Sequence, residues 1–155
     1  EIISKKLPFT DNNSIIIMGL SEGASVVAVF PPQNENHKVK GRIIESWGCP
    51  SEKELYPRNE VFRNKPPELN IIAADKHEIV LTMLALNDPY FKHIKNKKGC
   101  GPLLNKINGS IDYIYSKDNL KNKHVLLNSK QPREDLLNFL EKIIPEKERF
   151  FPFKK

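Results

Sequence analysis

Residues 75–90, Asp75-Lys-His-Glu-Ile-Val-Leu-Thr-Met-Leu-Ala-Leu-Asn-Asp-Pro-Tyr90, hold the choice on which the fold turns. Asp75 suits an N-cap, and Glu78 three residues later completes a capping box. Ile79, Val80, Met83, Leu84 and Leu86 follow at helical spacing. Asn87-Asp88-Pro89 closes the segment, because the residue before a proline is pushed out of the helical region. The pattern predicts a helix over 75–87.

Outward from that helix, the remaining apolar runs read as strands. Ser14–Met18 is β-branched, and Ala24–Phe30 is a second such run. The glycines of Gly19–Gly23 between them make a β-hairpin. Pro31-Pro32 ends it, and Lys38–Glu45 alternates partially, which suits a third strand with one wet face. Leu69–Ala74 reads as a short buried strand, Ser110–Ser116 and His124–Asn128 as two more, and Lys117–Lys123 as the polar hairpin loop joining the last pair. Tyr90–Lys98 suits a short basic helix. The final helix, 132–144, has Pro132 at its first position, Glu134 and Asp135 in the first turn and Lys142 in the last. Leu136, Leu137, Leu140, Ile143 and Ile144 form its apolar face, and Leu140 is expected in the core.

These elements predict a single α+β domain over 1–155. Its sheet is mostly antiparallel, five or six strands, a meander plus C-terminal strands, covered by helices 75–87 and 132–144. Residues 1–10 and 146–155 are expected to be extended arms, and 46–68 a long proline-rich surface loop. The composition, 39% apolar and 28% charged, excludes collagen and coiled coil, and no apolar run approaches the ~20 residues of a membrane span.

The net charge of +6 lies wholly in residues 78–155, which carry 15 Lys and Arg against 9 Asp and Glu. Lys92, Lys95, Lys97, Lys98, Lys106, Lys117, Lys121 and Lys123 crowd one stretch, interleaved with Tyr90, Phe91, Tyr113 and Tyr115. Lysines that neutralise phosphates beside rings that stack on bases suit single-stranded nucleic acid. Non-catalytic binding of a polyanion, RNA or DNA, through the 92–123 surface is therefore the expected function, with Tyr113 as a stacking ring. An acidic protein surface is the other partner of that charge. Tyr113 and Tyr115 at period two also suit packing beneath helix 132–144.

Cys49 and Cys100 are too far apart in sequence for a local redox or zinc motif. A Cys49–Cys100 disulfide, with the sequons at Asn12 and Asn108, would suit a secreted or organellar protein-interaction module; reduced thiols would suit an intracellular protein, which is favoured. The chain starts at Glu1 without an apolar leader-like run. A further alternative is an enzyme with Cys100 as thiol nucleophile, Lys97 and Lys98 lowering its pKa and His93 as base.

Other catalytic signatures read as negative. No G-x-S-x-G serine motif, H-E-x-x-H, Walker loop or G-x-G-x-x-G is expected to act here, and Gly19–Gly23 is assigned to the hairpin. His37, His77, His93 and His124 show no metal-ligand spacing, so neither metal nor cofactor is expected. Asn87-Asp88-Pro89-Tyr90 is similar to the Asp-Pro-Pro-aromatic turn of amino-methyltransferases acting on nucleic-acid bases. It lacks the second proline, and no glycine-rich cofactor loop stands upstream, so it is read as a helix stop.

Overall fold

A computed structural model describes residues 15–29, 39–47, 78–91, 100, 109–116 and 120–144. The described strands are β1 (Ile15–Leu20), β2 (Val39–Glu45), β3 (Ile79–Ala85) and β4 (Ile111–Tyr115), and the helices are α1 (Glu22–Val29) and α2 (Lys130–Ile143). Short 3-10 turns occupy Pro89–Phe91 and Leu126–Asn128. The four strands form one sheet in the order β1-β2-β3-β4, every pair parallel. The mostly antiparallel meander is thus overturned.

Two misread segments account for the difference. Residues 79–85 form the β3 strand, flanked by β2 and β4, and are almost wholly buried. A strand covered on both faces reads as a near-continuous apolar run, broken here only by Thr82, and such a run satisfies helical spacing as well as any other. Residues 22–29 are helical, although Val26, Val27 and Val29 favour a strand. Ala24 and Ala28, one turn apart, are both fully buried, and α1 lies against β1 and β2. A Cβ on Gly19 would stand on the backbone of Gly23, so only glycine allows the chain to fold back this tightly. The expected hairpin is a β1–α1–β2 unit.

Other corrections are smaller. His124–Asn128 is a loop and a 3-10 turn rather than the second strand of a hairpin, and residues 117–119 of the expected hairpin loop lie outside the described residues. Of the expected short basic helix only Tyr90 and Phe91 are described, and they belong to the 3-10 turn Pro89–Phe91. The expected strand 69–74, the arms 1–10 and 146–155, and all of the 46–68 loop except Ser46 and Trp47 lie outside the described residues.

The sheet separates two layers. On one face Ile43, Leu81, Met83 and Ala85 pack with Phe139 and Ile143 of α2 and with Leu126. Gly41 leaves room there, since a Cβ would come within 2.9 Å of Ile143 Cδ1. On the opposite face Arg42, fully buried, pairs through its guanidinium with Glu78 and donates to the Val27 carbonyl of α1 at 3.0 Å. Thr82 donates to Asp112 on the same face. Among the described residues no helix is long and apolar enough to cross a membrane.

Candidate active site

In open parallel sheets, functional groups gather outside the carboxyl ends of the strands. Here that edge presents Ser21 after β1, Glu45 and Ser46 at the end of β2, and Asp88 three residues after β3. His124, beyond β4, folds back onto it.

Gly19-Leu20-Ser21-Glu22-Gly23 is a G-x-S-x-G pentapeptide, which corrects the expectation that the chain lacks this motif. It spans the junction of β1 with α1. Ser21 has φ 56°, a left-handed backbone rare for a residue with a Cβ. Its N–H donates to the Glu45 carbonyl at 3.0 Å, continuing the parallel ladder, while its own carbonyl accepts the N–H groups of Ala24 and Ser25. The serine is therefore held between strand and helix on a sharp turn, with the N-terminus of α1 immediately behind it.

Asp88 is 1% exposed, and its Oδ2 lies 2.8 Å from His124 Nδ1. Its other oxygen accepts the Tyr90 N–H at 2.9 Å, the side-chain-to-backbone bond that shapes the Asp88-Pro89-Tyr90 turn. A carboxylate accepts only, so this contact assigns a proton to Nδ1. The Tyr90 ring lies against the imidazole with centroids 4.3 Å apart.

The backbone of His124 is fixed as well. Its carbonyl accepts from Ser46 Oγ at 2.5 Å, and its N–H donates to Asn122 Oδ1 at 2.8 Å. Glu45, 2% exposed, accepts the N–H groups of Leu126 and Leu127 on one carboxylate oxygen, at 2.6 and 3.2 Å. Burial raises the Glu45 pKa, outweighing those amide bonds and the attraction of His124.

Most of the expected site lies outside the described residues. Lys92, Lys95, Lys97, Lys98, Lys106 and Lys117 fall outside the described residues, as do His37, His77 and His93. Lys121 is exposed and Lys123 half-buried beside His124. Tyr113 is half-buried against the core, its ring 6.2 Å from that of Tyr115. Burial and the nearby Asp135 raise its pKa. Cys100 is buried and disulfide-bonded, and a half-cystine offers no thiolate; the sequence holds one other cysteine, Cys49, outside the described residues. No three metal-ligating side chains cluster among the described residues. The Asn87-Asp88-Pro89-Tyr90 turn does follow a strand, but both Asp88 oxygens are engaged within the protein.

Sequence reasoning passed over Ser21, Glu45, Ser46, Asp88 and His124. The available signal was the pentapeptide behind a β-branched run, followed in chain order by an Asp after an apolar run and then a His. No family model, curated protein or solved structure matches the chain.

Proposed function

We propose that this chain carries an acyl-transfer site of the serine-hydrolase kind and cleaves carboxylic esters. The carrying observation is Ser21, held at φ 56° in a G-x-S-x-G turn between a parallel strand and a helix. That turn, and the chain order Ser21, Asp88, His124, resemble the nucleophile elbow and triad order of α/β-hydrolases. Ser21 Oγ attacks the ester carbonyl carbon and its proton passes to His124 Nε2. Asp88 keeps the imidazole in the required tautomer and stabilises the imidazolium. The Glu22 N–H, next to the nucleophile at the start of α1, donates to the oxyanion. Collapse of the tetrahedral intermediate expels the alcohol, which takes the proton from His124, and water repeats the cycle on the acyl-serine.

The half-cystine at Cys100 supports an oxidising compartment for this enzyme. A fluorophosphonate probe tests the reading, because it forms a covalent adduct with an activated serine. Wild-type protein is expected to label stoichiometrically and Ser21→Ala not at all. Asp88→Asn is expected to label about 10³–10⁴-fold more slowly, having the wrong tautomer. Equal labelling of wild type and Ser21→Ala rejects the proposal.

A further inference from the structure

Glu45 touches both halves of the candidate site. Its backbone carbonyl receives the Ser21 N–H, and its carboxylate receives the two amides that follow the His124 loop. The adjoining Ser46 holds the His124 carbonyl through its hydroxyl. Ser46 itself has φ 56°, and its N–H is anchored to the Met83 carbonyl at 2.8 Å. One dipeptide at the end of β2 thus joins the nucleophile turn to the base loop, and neither side chain is accessible to a substrate.

We infer that Glu45-Ser46 is the positioning element of this site, setting the separation of Ser21 and His124. This rests on the serine-hydrolase reading. The Glu45 carboxylate replaces the water that the Leu126 and Leu127 amides would otherwise bind, and so holds the 124–127 backbone at the carboxyl edge of the sheet. Buried polar groups without partners are costly, so the loop cannot leave Glu45 without exposing three of them. A displacement of His124 by about 1 Å is enough to cost on the order of 10²-fold in rate.

The test uses the fluorophosphonate labelling rate together with the kcat and KM for a short p-nitrophenyl ester. In Glu45→Gln the amide oxygen still accepts both N–H groups, and the rates are expected within about threefold of wild type. In Glu45→Ala, kcat and labelling are expected to fall about 10–100-fold with KM within twofold, since the substrate touches neither residue. Ser46→Gly keeps the left-handed backbone and removes only the hydroxyl, so it serves where Glu45→Ala does not fold; it is expected to lose at least about fivefold in kcat. Wild-type rates in folded Glu45→Ala or in Ser46→Gly overturn this inference. So does a Glu45→Gln variant as slow as Glu45→Ala. If wild type labels at Ser21 while these variants match it, the positioning role fails and the hydrolase reading stands. If wild type does not label at all, both fail.

Discussion

At the scale of single residues, the carboxyl edge of the sheet holds groups that no stability argument would choose. Ser21 and Ser46 each adopt a left-handed backbone, at a cost of about 1–3 kcal/mol apiece, and such outliers gather at functional sites. Glu45 is a buried carboxyl whose pKa is raised above its ordinary 4.5 by desolvation. The folded state therefore keeps this proton to a higher pH than the unfolded chain does. Between the ordinary and the raised value the native state binds more protons, so stability falls as pH rises through that window. Glu45→Gln does not titrate and escapes this loss. Denaturant melts of both proteins from pH 4 upward are expected to show the wild type losing ground to the variant as pH rises. Parallel curves would mean that the carboxyl is not desolvated as described.

At the scale of elements, α2 was expected over 132–144 and spans Lys130–Ile143, so Pro132 is its third residue and no acid stands in its first turn. Its buried residues are Pro132, Asp135, Phe139 and Ile143, of which only Ile143 belongs to the expected face. Phe139 is 1% exposed and Ile143 is 8% exposed, both within the main core, whereas Leu140 only packs against its border. Phe139→Ala is expected to cost about 3–5 kcal/mol, and Leu140→Ala clearly less than the ~2–5 kcal/mol of a fully buried leucine. Equal losses in urea melts would place Leu140 in the core instead. The β1, β2 and β4 strands were legible for the same reason as α2, because each keeps a recognisable period or a β-branched run. The β3 strand was not. Burial on both faces erased its alternation, and Asp75 and Glu78 mimicked a helix start, although Glu78 is in fact the partner of Arg42. In α1 the decisive features are the burial of Ala24 and Ala28 and the close approach of Gly23 to Gly19 of β1, which valine-rich local sequence does not reveal. Once β3 is a strand, Asp88 changes from a helix stop to a residue at a strand's carboxyl end. Once 22–29 is a helix, Gly19–Gly23 changes from a hairpin to a serine elbow. Both site residues were hidden by the misassigned element next to them, not by weak chemistry of their own.

At the scale of the whole molecule, Cys100 ties the described core to sequence beyond it. It is 1% exposed and bridged, so it contributes a constraint on the chain rather than a reactive group. A thiol reagent added to the denatured, unreduced protein is expected to find no free thiol, and after reduction both cysteines of the sequence. Closing a loop removes conformations mainly from the unfolded ensemble, so reduction is expected to lower stability by about 2–4 kcal/mol. It should leave the chemistry at Ser21 nearly untouched, because Asp88, His124 and Glu45 are held by hydrogen bonds within the described sheet and its loops. Cys100→Ala under conditions where the protein remains folded is therefore expected to label with fluorophosphonate within a few-fold of wild type. Loss of labelling by several orders of magnitude in a folded Cys100→Ala protein would tie the bridge to the site itself. The carboxyl edge would then depend on the covalent link as well as on the Glu45-Ser46 contacts.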